Sequence, residues 1–69
     1  MSISDKVRIL CIRRGITMRE LSLRIGMSPQ NFSGKLKRES FSFQELDAMA
    51  KAAGCSFRAD FVLPDGETI

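Results

Sequence analysis

The stretch Ile16-Thr17-Met18-Arg19-Glu20-Leu21-Ser22-Leu23-Arg24-Ile25-Gly26-Met27-Ser28-Pro29-Gln30-Asn31-Phe32 decides the fold. Thr17 carries a hydroxyl suited to cap a helix, and Glu20 stands three positions later to close a capping box. Ile16 can staple to Leu21 across the first turn. Gly26 stops this helix after a few turns, at a position where a left-handed backbone costs least. Only Met27 then separates Gly26 from the next start. Ser28 takes the N-cap, Pro29 the first helical position, where a missing N–H matters least, and Met27 can staple to Phe32. Two short helices joined by the turn Gly26-Met27-Ser28 have the lengths of a helix-turn-helix. A close crossing needs a small residue and a glycine, and Ser22 and Gly26 supply them. Leu21, Ile25, Met27 and Phe32 provide the apolar contact.

The rest of the chain builds outward from this pair. A first helix is expected over about residues 4–14, capped by Ser2 or Ser4, with Val7, Leu10 and Cys11 as its inner stripe and Gly15 ending it. The central helices are expected over about 18–25 and 29–38, the latter with Phe32 and Leu36 inward. Phe41-Ser42-Phe43-Gln44-Glu45-Leu46 repeats the box-and-staple signal and predicts a fourth helix over about 43–53. Its buried stripe is Leu46, Met49, Ala50 and Ala53, and Gly54 follows it. Past Gly54 the apolar period becomes two: Phe57, Ala59, Phe61 and Leu63 alternate with Arg58, Asp60 and Val62. This predicts a half-buried strand over about 57–63, a hairpin turn at 64–66 through Pro64-Asp65-Gly66, and the start of a returning strand at Thr68 and Ile69. The expected fold is one mainly α domain over residues 1–69, four short helices plus a C-terminal β-strand or hairpin.

Composition narrows the function. With 69 residues there is room for one small core. The formal charge of +3 hides a split. Residues 1–38 hold nine bases against two acids, a net of +7, and residues 39–69 hold two bases against six acids, a net of −4. A basic half of this kind points to a polyanionic partner. The chain has no His, which removes His-based acid/base and nucleophile chemistry and nearly every catalytic zinc site. Cys11 and Cys55 stand far apart in apolar settings and read as reduced thiols packed as small hydrophobes. With no phosphate loop and no metal-ligand cluster, neither an enzyme nor a cofactor is expected. The longest apolar run, Ile9-Leu10-Cys11-Ile12, is far too short for a membrane span.

The third helix carries the functional signal. At about 100° per residue, Phe32 and Leu36 define its inner face, and Gln30, Asn31, Gly34, Lys37 and Arg38 fall opposite, with Ser33 and Lys35 on the flanks. Gln and Asn can pair with the adenine edge in the major groove, while Lys and Arg suit phosphates or guanine. The same side chains also read as an ordinary polar first turn followed by a solvated charged face, favoured by the helix dipole. Gly34 inside a helix costs about 1 kcal/mol relative to Ala, and close approach to a base edge or a thymine methyl would repay it. Arg19, near the start of the second helix, can point at a phosphate or lie in solvent opposite Glu20. Arg13 and Arg14 read either as phosphate contacts or as dipole partners of the first helix. Their joint occurrence with the +7 excess favours a duplex footprint.

Residues 17–33 resemble the phage repressor/Cro-like helix-turn-helix family, also called the XRE family, and the resemblance extends from about Val7 to Ala53. It implies a lambda-repressor-like fold and a cytoplasmic, bacterial or phage-encoded DNA-binding protein. Arg19, Ser28, Gln30, Asn31 and Ser33 match positions that contact operator DNA. Three departures stand out: Ser22 replaces the commoner Ala, Pro29 replaces a Gln that often reads a base, and Lys35 occupies a position where many members carry Ile or Leu. The full set expected at the DNA is Thr17, Arg19, Ser28, Gln30, Asn31, Ser33, Gly34, Lys35, Lys37 and Arg38. Phe61, Val62 and Leu63 are expected to make a homodimer, leaving Phe57 for the core. The leading expectation is a transcriptional regulator, a repressor binding a pseudo-palindromic operator as a homodimer. The alternative is a protein-interaction module, such as an antitoxin or anti-repressor, whose C-terminal hairpin binds another protein.

Overall fold

Side-chain caps set where the helices begin. The computed structural model describes all residues, 1–69, and contains α1 (Ile3–Arg14), α2 (Met18–Arg24), α3 (Pro29–Arg38) and α4 (Phe43–Ala52). Ser2, Thr17, Ser28 and Ser42 each accept a hydrogen bond from the backbone N–H three residues on, at 3.0 to 3.2 Å. The expected box closes at Ser42, whose own N–H donates to Glu45 Oε1 at 2.8 Å. At Thr17 only half of it forms: the Glu20 carboxylate turns forward one turn to pair with Arg24 at 3.4 Å. A second complete box forms instead at the start of α1, between Ser2 and Asp5. Making Ser2 the cap starts α1 at Ile3, one residue before the expected position. α2 and α4 end one residue sooner than expected.

The turn between α2 and α3 is fixed by Gly26, whose φ of 76° allows Met27 N–H to reach back to Ser22 O at 2.9 Å. Leu21 and Ser22 are fully buried at the crossing, and Ser22 Oγ donates to Arg19 O at 2.7 Å, so the small hydroxyl fits without an orphaned polar atom. Val7, Cys11, Leu21, Phe32, Leu36 and Met49 form one core cluster. Phe41, in the loop before α4, tilts against Phe32 with ring centroids 5.1 Å apart and ties that loop to α3. Burial raises the Cys11 thiol above its ordinary pKa, in keeping with a packed, uncharged sulfur.

The expected strand over 57–63 does not form. Residues 55–61 carry no regular structure, and the hairpin reduces to a single antiparallel bridge between Val62 and Thr68, flanked by Phe61 and Ile69 exchanging backbone hydrogen bonds at 2.7 and 2.9 Å. The chain reverses at 64–66, where Leu63 N–H donates to Glu67 O at 2.7 Å, and the pairing goes no further back than Phe61. An isolated two-stranded ribbon is marginal in water, and here no third strand or helix face supports it. Phe57 is the exception. It is half-buried, meets Phe43 edge-on at 5.6 Å, and lies over the apolar groove between α1 and α4 beside Leu10 and Met49. Every residue from Arg58 onward is exposed. The radius of gyration is 13.0 Å, against about 11 Å for a compact chain of this length, as a projecting tail requires.

Candidate nucleic-acid interface

The outward face of α3 begins at its cap. Ser28 Oγ accepts from Asn31 N–H, which leaves the Asn31 side-chain amide free of capping duty, and Gln30, Asn31 and Ser33 are all exposed. Two shallow grooves flank the helix. On one side Arg19 and Ser33 line a groove between the start of α2 and α3. On the other, Ser28 and Asn31 share a groove with Gln44 at the start of α4. Gln44 was not among the residues singled out from the sequence. Its only local signature is a place two residues past the Ser42 cap, and it is tertiary packing that brings it beside the recognition helix. Thr17 lines a further groove with Arg8 and Ile12 of α1, and its Oγ1 accepts from Glu20 N–H.

Of the nine cations of the basic half, Arg8 pairs with Asp5 on its own helix and Lys6 takes part in no ion pair, and the other seven divide into two groups. Arg14 Nε donates to Ala53 O at 2.8 Å and Arg24 Nη1 to Ala52 O at 3.0 Å, so two arginines from α1 and α2 converge on the carbonyl end of α4. Arg14 is thus a partner of a helix C-terminus, but of α4 rather than of its own helix. Lys35, on the flank toward α4, pairs with Glu45, and both side chains are about three-quarters buried. This ion pair turns Lys35 from the outward face toward the protein, contrary to its expected place at the DNA. The Lys35 hydrogen bond, with Ser42 N–H second, holds the Glu45 carboxyl below the usual carboxylate range. Arg13, Arg19, Lys37 and Arg38 take part in none of the five ion pairs and are exposed. A charge count therefore overstates the cations available to a polyanion.

Gly34 stands opposite the Phe32–Leu36 direction, at the centre of the outward face. The space left by its missing side chain is not empty. A Cβ built there would lie 3.1 Å from Arg38 Nη1 and 3.8 Å from Cζ, so the guanidinium lies back over the glycine. Helical side chains lean toward the N-terminus, which is why a residue four positions later covers this spot.

The far end of α3 is fastened to the start of α1. Glu39 takes the left-handed conformation, φ 53°, as the C-cap of α3, and its Oε1 accepts from Ser4 N–H at 3.3 Å. Ser4 Oγ donates to Leu36 O. The Ser2 hydroxyl first, and Ser4 N–H second, hold the Glu39 carboxyl below its ordinary range. A carboxylate at the start of a twelve-residue helix also meets the positive end of its dipole. No sequence signal marked this link, because it joins residues 35 positions apart.

A family model of the Cro/C1-type HTH DNA-binding domain matches residues 6–61. The chain belongs to this family. No curated protein and no solved structure matches it. The match to the Cro/C1-type domain covers all four helices from Lys6 onward and every residue expected at the DNA, and it stops before the Val62–Thr68 bridge. Of the residues expected to dimerise, Val62 and Leu63 lie beyond it. All three are solvent-exposed, Phe61 at 76% and Val62 at 71%. No helix is long and apolar enough to cross a membrane.

Proposed function

We propose that this Cro/C1-type protein is a cytoplasmic transcriptional repressor, rather than a catalyst, that binds a pseudo-palindromic operator as a homodimer with α3 in the major groove. The observation that supports this most is the outward face of α3. Amides at its start suit base edges, and unpaired cations at its end suit phosphates or guanine. Arg19 and Gln44 flank that face on opposite sides, where the two walls of a groove would run. One 69-residue module covers too little DNA for tight specific binding, and two half-sites about one helical turn apart supply the rest. The exposed Phe61, Val62 and Leu63, beside the isolated Val62–Thr68 bridge, offer the surface for a two-fold pairing.

Selection of duplexes from a random pool tests the reading directly. Two inverted half-sites about 10 bp apart are expected, bound with an affinity that falls steeply with salt. An unchanged affinity across salt concentrations, or a monomer by light scattering at protein concentrations where the site is saturated, would sink it. The apolar tail also suits a second reading, a docking point for a different protein. A chain that binds DNA as a monomer and associates only with another protein through Phe61 and Val62 would favour that one.

A further inference from the structure

We propose that Arg38, seated over Gly34, is a specificity-determining residue that reads a guanine near the middle of each half-site. The inference rests on the DNA-binding reading of α3 and names what the centre of that face recognises. Gly34 points directly away from Phe32 and Leu36, so when α3 lies in a major groove this spot faces the groove floor. There the protein presents a flat cation: Arg38 Nη1, Nη2 and Cζ stand 3.1, 3.7 and 3.8 Å from the position a Cβ would take on Gly34. A guanidinium is a planar fork of N–H donors, and the O6 and N7 acceptors of guanine form its bidentate match on the groove floor. A cation meant for phosphate would reach sideways to the groove wall, as Lys37 on the same last turn is free to do, and would need no gap four residues earlier. A Cβ at position 34 would stand 3.1 Å from Nη1, close enough that the guanidinium must shift by a few tenths of an ångström to admit it. Glycine thus leaves the guanidinium of Arg38 its closest seat against the helix at the centre of the face.

The alternative role for Arg38 is a phosphate clamp, and the two separate cleanly. The full chain and its Arg38→Ala, Arg38→Lys and Gly34→Ala variants are titrated against the duplex selected by the wild type, against the same duplex with each guanine in turn replaced by 7-deazaguanine or adenine, and against a random duplex. The expected result is one guanine per half-site whose replacement weakens the wild type by roughly five- to 150-fold and leaves Arg38→Ala unaffected. Arg38→Lys should lose the discrimination while keeping the charge. Gly34→Ala should lower discrimination at that same guanine, with helix content by circular dichroism equal to or above the wild type, so that loss of fold cannot account for the change. Equal losses for Arg38→Ala on selected and random duplexes would overturn the proposal and make Arg38 a backbone contact. So would a selected site with no guanine whose effect depends on residue 38. Wild-type protein that binds no duplex in a salt-dependent manner would overturn the DNA-binding reading itself, an outcome distinct from either.

Discussion

The α2–α3 unit and the C-terminal tail are both short, and both carry clear apolar patterns, yet one is fully formed and the other is not. Leu21 and Ser22 are completely buried, while Phe61 and Val62 lie about three-quarters exposed. The difference is in where the backbone hydrogen bonds come from. A helix satisfies its own interior, and its ends need only a neighbouring hydroxyl or a glycine, which Thr17, Ser28 and Gly26 supply locally. A strand must borrow every ladder bond from another segment, and here the pairing amounts to one bridge between Val62 and Thr68. Period-two alternation thus declares which face would be buried without declaring that anything exists to bury it.

Four variants would break or sharpen that contrast. Leu21→Ala should have the largest effect, about 2–5 kcal/mol, comparable to the whole stability of a domain this small. Urea titration followed by circular dichroism should then show a largely unfolded chain, and a near-native midpoint would mean that the helix pair is not the centre of the core. Ser42→Ala comes next. It removes the cap of α4 and one side of the Glu45 box, for a loss of about 1 kcal/mol. Glu45 adds a pH signature. Its pKa is depressed in the fold, so its stabilising effect is complete above the ordinary Glu value of about 4.3 and is lost as pH falls through the lower folded value. Glu45→Gln should accordingly be less stable than wild type at pH 7, with the gap narrowing on acidification. A constant gap would assign the effect to packing. Removing residues 61–69 should change stability least, within about 0.5 kcal/mol, while abolishing self-association in light scattering. A large drop in the unfolding midpoint would show that the tail belongs to the core after all.

What was legible in the sequence follows the same division. Helix positions, the turn at Gly26 and the inward pairing of Phe32 with Leu36 are all encoded within a few residues, and the structure departs from them by no more than a residue at an end. The outward face of α3 was legible for the same reason, since a helix places its residues by rotation alone. What escaped were the partners of long side chains. Arg14 and Arg24 reach to α4, Lys35 turns to Glu45 and Arg38 folds back over Gly34, and only the packed arrangement of helices decides these choices. Glu39 escaped for a further reason: a charged residue in a left-handed turn is disfavoured by itself, and here it is held there by a helix from the other end of the chain.

That last contact has a practical consequence. Ser2 and Ser4 steady the far end of the recognition helix through Glu39 and Leu36, and the exposed Met1 is the next residue along. An affinity tag or fused reporter attached ahead of Met1 would therefore abut the joint that sets the pitch of α3. The same cargo appended after Ile69 would hang from the exposed tail that carries Phe61 and Val62. Binding measurements are better made with the first residue left free, and assembly measurements with the last.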